Sequence, residues 1–101
     1  HIITGKLLYC SGRFLQVLEG ESAQVHRTFD LIKADPRHRD VTLLMEQTIS
    51  ERAYPHWNMG FRHVQQDELD QYPAYKAYFQ DDFAALKIQP LIALEIINNF
   101  V

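Results

Sequence analysis

The stretch GRFLQVLEG, residues 12–20, decides how this chain is read. Phe14, Leu15, Val17 and Leu18 have the residue types of a buried strand, and Gln16 sits among them. A buried carboxamide needs partners for its carbonyl and its NH₂, or each orphaned group costs roughly 1–3 kcal/mol. Strand side chains alternate between faces, so Phe14, Gln16 and Leu18 share one face and Leu15, Val17 and Glu19 the other. Taken alone, the amide reads first as a Gln bonded to a neighbouring backbone or side-chain group. The sharper alternative is a group held for a polar ligand, because ligand sites are apolar pockets with a few placed polar groups.

Working outward, residues 3–9 are rich in apolar and β-branched types and predict a strand. Ser11-Gly12-Arg13 supplies turn chemistry, so residues 14–19 return as the second strand of a hairpin. Ser22 reads as an N-cap, and Val25, Phe29 and Ile32 at i, i+4 and i+7 form one apolar stripe of a helix over 22–34. Asp35-Pro36 ends it. A third strand is expected over 41–48 and a fourth over 56–64, with Trp57, Met59 and Phe61 on one face. A helical, aromatic-rich region starts near Asp67. Pro90 starts a last helix with Leu91, Leu94, Ile97 and Val101 inward. The order β-β-α-β-β followed by helices is an α+β pattern, of the ferredoxin-like split βαβ kind, with the C-terminal helices on the sheet's other face. Residues 1–64 are expected to form the sheet and helix, and 65–101 a helical cap of the same domain. That fold needs one more strand and helix in front. The chain opens on a strand-like run without an initiator Met, so the expectation is a start in mid-fold.

The bulk numbers narrow the function. The chain has 101 residues, 47% hydrophobic and 23% charged, which suits one ordinary domain with a modest core. Its net charge of −3 argues against a general nucleic-acid binder. No apolar run approaches the ~20 residues of a membrane helix. The single cysteine, Cys10, excludes an internal disulfide, reads as a small core residue and favours a reducing, cytoplasmic setting. His1, His26, His38, His56 and His63 have no zinc-like spacing, so no metal site is expected. There is no Gly-rich phosphate loop, nucleophile elbow or paired-carboxylate motif, so no enzyme chemistry is expected. Arg37, His38 and Arg39, flanked by Asp35 and Asp40, read either as a solvated loop or as a clamp for an anionic group. Trp57 and Met59 read as core packing or as a pair able to rearrange.

The ordered set ITGKLLYCSGRFLQVLEGESAQV, ADPRHRDV and ERAYPHWNMGF resembles the BLUF domain, the flavin-binding blue-light sensor of bacteria, in register from Ile3 to about Phe61. The resemblance implies that Gln16 hydrogen-bonds the flavin ring, with Met59 and Trp57 beside it as signalling residues. It puts Arg37 and His38, with Asp35 close by, near the ribityl-phosphate end. FAD is the usual flavin, with FMN or riboflavin as alternatives. In the family, light acts through an electron-donor Tyr on the first strand, and the Gln ends with a changed orientation or tautomer. That Tyr, and an Asn on the first helix, precede the matching region, and Tyr9 is neither. The implied function is a photoreceptor module signalling by a hydrogen-bond switch to a separate effector or a homo-oligomer through the C-terminal helices. The acidic, aromatic residues 67–83 are the candidate contact surface. The alternative is a flavin-free interaction or structural domain on the same scaffold. A small ligand-binding or enzymatic ferredoxin-like domain is the weakest reading.

Overall fold

The computed structural model describes residues 2–101. Strand β1 (Thr4–Cys10) pairs antiparallel with β2 (Arg13–Glu19) in the register Thr4↔Glu19, Leu7↔Gln16 and Cys10↔Arg13. The loop between them is only Ser11-Gly12, with φ of 52° and 77°. Two positive φ values in a two-residue loop match the right-handed twist of the strands, and Gly12 takes its value without a Cβ penalty. Arg13, expected in the turn, is already in the ladder.

The helix α1 (Ser22–Ala34) falls over the predicted residues and ends at Asp35, before Pro36. Its N-cap is Glu21, with no side-chain cap bond, so Ser22 is the first helical residue rather than the cap. The expected apolar stripe is present, but α1 buries no residue fully. Residues 41–48 take no regular secondary structure and join no strand, which corrects the third-strand expectation. A strand persists by pairing its backbone groups with a neighbour. In the split βαβ arrangement the strand after the second helix lies beside the first strand of the fold, and no described residue occupies that place. The segment is instead held by a hydrogen bond between His26 of α1 and Glu46 and by Leu44 against the core.

Strand β3 (Gly60–His63) is shorter than the predicted 56–64, because residues 54–57 turn, with the Trp57 N–H donating to the Tyr54 carbonyl at 3.2 Å. It pairs parallel with β1, Lys6 opposite Gly60 and Tyr9 opposite His63. Among the described residues the sheet order is β2-β1-β3, three strands where four were expected, and no strand pairs with the outer edge of β2.

The helices α2 (Gln66–Leu69), α3 (Pro73–Gln80) and α4 (Pro90–Phe100), with a 3₁₀ turn at Phe83–Lys87, close over one sheet face. A reciprocal cap between Gln65 and Glu68 starts α2, and Pro at the first position starts α3 and α4. The core joins Leu8, Cys10 and Leu15 of the hairpin to Leu69, Phe79, Leu86 and the α4 residues Ala93, Ile96, Ile97 and Phe100. Those α4 positions are one helical stripe, i, i+3, i+4 and i+7. Leu91, expected inward, is 67% exposed, and Leu94 and Val101 are half-buried. Because α4 is apolar nearly all round, periodicity alone did not choose its stripe. The result is a mixed α+β domain consistent with the ferredoxin-like expectation.

Candidate functional site

Alternation along the paired strands sorts every side chain near Gln16. Thr4, Lys6, Leu8 and Cys10 of β1 stand on the side of α4, with Leu15, Val17 and Glu19 of β2. Leu7, Tyr9, Phe14, Gln16, Leu18, Phe61 and His63 stand on the other side. The Tyr9 ring lies 4.6 Å from that of Phe14 and 4.8 Å from that of His63, which makes an aromatic floor. Gln16 is therefore not a buried amide in a closed core. It is exposed on the open face, where its Nε2 donates to Met59 Sδ at 3.4 Å. Among the described residues its carboxamide oxygen accepts no hydrogen bond. A thioether is a weak acceptor, so most of the amide's bonding capacity is unspent.

Beside β2, α1 and residues 37–49 bound an open cleft of about 1730 Å³ that is lined by Gln16, Phe14, Leu18, Phe29 and Ile32 and runs around the β2 edge to Leu15, Val17 and Ile97 of the α4 side. That exceeds the roughly 300–1,000 Å³ of common ligand pockets, as expected of a cleft that is not closed. A separate depression of about 300 Å³ at residues 71–75 has no converging charged groups.

The loop after α1 places Asp35, Arg37 and His38 at the cleft's rim. Asp35 accepts from the Arg37 main-chain N–H at 2.9 Å, from Nε at 3.0 Å and from Nη2 at 2.6 Å. The Arg37 side-chain bonds, then its backbone N–H, hold the Asp35 carboxyl well below the usual carboxylate range, and Asp35 raises Arg37 in turn. The guanidinium fork is thus turned onto Asp35 rather than onto the cleft. His38 Nδ1 donates to the Ile32 carbonyl at 3.1 Å, and its ring stands edge-on to that of Phe14 with centroids 6.5 Å apart.

The structure thus brings Gln16 and Met59 together, and Asp35 and Arg37 together. It does not bring Trp57 to the Gln16 side. Strand alternation does not extend to residue 57, since the chain turns there, and Trp57 lies on the α4 side over the Lys6 ammonium and against Gly60. A Cβ at Gly60 would fall inside the van der Waals envelope of Trp57 Cε3, so Gly60 makes room for the indole.

Sequence reasoning missed the group that sets this geometry. Glu19, 6% exposed, accepts from the Thr4 hydroxyl at 2.9 Å, the Ala53 N–H at 2.9 Å and the Tyr54 N–H at 2.6 Å. Arg52 Nη1 donates to Thr4 Oγ1 at 2.9 Å and to the Glu19 carbonyl. One carboxylate three residues from Gln16 therefore anchors the turn that leads to Trp57 and Met59. The signal was present: alternation assigned Glu19 to the same face as Leu15, and a carboxylate on a buried face must be satisfied.

The family described as "BLUF: Sensors of blue-light using FAD" matches residues 1–60. The chain is 47% identical over 53 residues to the photoactivated adenylate cyclase subunit beta of Euglena longa, covering 52% of this chain and 6% of that protein. It is 36% identical over 74 residues to the subunit alpha of Euglena gracilis, covering 73% of this chain and 7% of that protein. The chain spans only a small part of the length of these curated relatives, which are from Euglena rather than from bacteria. Among solved structures, a bacterial light-regulated adenylyl cyclase superposes with a TM-score of 0.68 at 28% identity, over 98% of this chain and 31% of that one. The dark-state structure of the BLUF protein BlrB superposes with a TM-score of 0.61 at 33% identity, over 92% of this chain and 70% of that one. The sequence signature around Gln16, the hairpin that presents it and these likenesses agree: the chain belongs to the BLUF family of blue-light sensors.

Proposed function

We propose that this chain is the sensor module of a light-responsive protein, with oxidised flavin, FAD by the family's own description, seated in the cleft on the Gln16 face. Residues 1–64 form the sensor and residues 65–101 cap its opposite face within one domain. The observation that carries this is the Gln16 carboxamide, exposed on an apolar face, with its oxygen free and its N–H on a thioether. The donor set fits the ring: a flat aromatic system with edge carbonyls and nitrogens needs an apolar bed and a few polar contacts. Phe29 and Ile32 from α1 and Gln16 from β2 supply both. Met59 would hold the Gln16 amide, and the rim residues Arg37, His38 and Asp35 would face the ribityl-phosphate end. The bound flavin supplies absorption of blue light.

The chain's own part is the switch. A carboxamide carries a donor at one end and an acceptor at the other, so rotation or tautomerisation of Gln16 reverses what it offers to a neighbour. Losing the Met59 contact costs little, because the thioether bond is weak. Two states of similar free energy are what a ligand-borne signal can shift. The output passes to an effector, in the same chain, in a separate protein or in a second copy through the C-terminal helices, as in the cyclases of which related domains form a part. A reducing cytoplasm suits the single buried Cys10.

The test is one visible absorption spectrum of the protein incubated with FAD, dark and then under blue light. The expected result is a retained flavin band that shifts red and relaxes, and Gln16→Leu keeps the band and abolishes the shift. An unchanged shift in Gln16→Leu overturns the assigned switch. The second reading is a flavin-free interaction domain on the BLUF scaffold. A protein that takes up no FAD selects it.

A further inference from the structure

Lys6 stands in the middle of β1 on the packed face and is 8% exposed. Lysines are seldom buried without a carboxylate partner, yet the ion pairs among the described residues do not include Lys6. Its ammonium instead donates to the main-chain oxygen of Val101 at 2.9 Å and to Asn98 Oδ1 at 3.4 Å. On its other side it lies 4.7 Å from the ring centroid of Tyr54 and 4.7 Å from that of Trp57. Two aromatic faces, the Asn98 amide oxygen and the Val101 main-chain oxygen form a coherent shell for a desolvated cation. The oxygens come from the end of α4, where the helix dipole also favours a cation. The rings come from the turn that Glu19 anchors.

This shell joins two regions that otherwise meet little. The Trp57 carbonyl accepts from the Gly5 N–H at 3.0 Å, so the indole is registered against the residue next to Lys6. The Tyr54 hydroxyl donates to the same Asn98 oxygen at 2.6 Å. Two residues along the chain from Trp57, Met59 touches Gln16 on the opposite face. Contacts thus run without a break from Met59 through the main chain to Trp57 and, by way of the ammonium, to the last turn of α4.

We propose that Lys6 is a positioning residue that couples Trp57 to the C-terminal end of α4, so that a change at the Gln16–Met59 contact is felt there. Its light-driven half rests on the flavin reading above; its mechanical half does not.

The test has two arms. In the dark, without flavin, amide hydrogen exchange of residues 98–101 is compared in wild type, Lys6→Met, Trp57→Leu and the double variant. A cation–aromatic contact of this kind is worth about 0.5–1 kcal/mol, so each single variant raises exchange there about threefold. The double variant raises it no further than the larger single effect, and Lys6→Arg, which still stacks on aromatic rings, restores the wild-type rate. Wild-type exchange in Trp57→Leu, or effects that simply add, overturns the coupling. Should Lys6→Met fail to fold, Trp57→Leu and Lys6→Arg decide the arm alone. In the second arm the FAD-loaded protein is illuminated. Lys6→Met keeps the red shift of the flavin band but loses the light-induced change in exchange at 98–101, and Lys6→Arg keeps both. A light-induced change that survives in Lys6→Met overturns the proposal. A wild type with no red shift overturns the flavin reading instead and leaves the dark arm to decide the coupling.

Discussion

The two faces of the sheet are built by alternate residues of the same strands, and they have opposite fates. On the side of α4, Leu8 and Cys10 are fully enclosed and Leu15 nearly so. On the other side Phe14 is 51% and Phe61 60% exposed, and Gln16 reaches solvent. The strands' own composition would suggest the reverse, since the enclosed face carries Thr4, Lys6, Arg13, Glu19 and Arg62, whereas the open face is mainly apolar. What differs is the covering chain. Residues 66–100 bring α2, α3, the 3₁₀ turn and α4 to one face, whereas α1 buries nothing fully and Leu44 of the segment 41–48 packs on that same core. A structural face and a face left for a ligand are told apart by what packs on them, not by their own composition.

Core truncation gives the largest expected contrast. Leu8→Ala or Ile96→Ala should cost about 3 kcal/mol, from lost transfer energy and an unfilled cavity. Phe61→Ala on the open face should cost under about 1 kcal/mol. Chemical denaturation of the three variants checks this. Equal losses would mean that the open face is covered in solution.

Next is the anchor between the faces. Glu19→Gln keeps the volume but replaces one acceptor oxygen with a donor facing backbone N–H groups of residues 53 and 54. It should cost about 2 kcal/mol, the value of a charge-assisted bond lost with an amide orphaned. The local consequence sharpens the comparison: the turn that carries Trp57 and Met59 should loosen on both faces at once, read by exchange of the Ala53 and Tyr54 amides. Protection unchanged from wild type would remove Glu19 from the site.

A smaller effect is expected at Gly60→Ala. The added methyl meets the indole, which must swing off Lys6, at about 1 kcal/mol for a side chain able to move. The Trp57 emission maximum should shift as its environment changes. An unshifted spectrum with wild-type stability would mean that the indole does not rest on Gly60.

How much of this was legible follows the same division. The hairpin, the length of α1 and the burial of Cys10 were readable because local chemistry decides them: Ser11-Gly12 for the turn, Asp35-Pro36 for the helix end. The pairing of 41–48 was not, because a strand depends on a neighbour that no local pattern supplies. The inward stripe of α4 was not, because Leu91 and Ile96 are equally apolar and only the packed sheet chooses between them. In the site, Gln16 and Met59 were found together as expected. Trp57 was assigned to the wrong face, because alternation was carried through residues that turn. Lys6 and Glu19 were passed over as ordinary charges, although their alternation with Leu8 and Leu15 already put them inside.

The smallest expected effect lies at the rim of the open face, and it tests whether the rim is committed to itself or available to an anion. Arg37 holds the Asp35 carboxyl below its ordinary range. The sign follows: a carboxyl with a lowered folded value contributes stability that is present above its unfolded value, near ~3.9, and is lost as pH falls through the folded one. Global stability should barely register this, since both groups are exposed and α1 buries nothing fully. The local readout is the Arg37 Nε–H resonance, which should persist at about pH 4, fade only in stronger acid and be absent at all pH values in Asp35→Asn. Ordinary titration of Asp35 would mean that the pair does not hold Arg37, and the guanidinium fork would then be free for a phosphate. In Asp35→Asn the freed fork should bind inorganic phosphate more tightly than wild type does, and that difference should shrink with added salt.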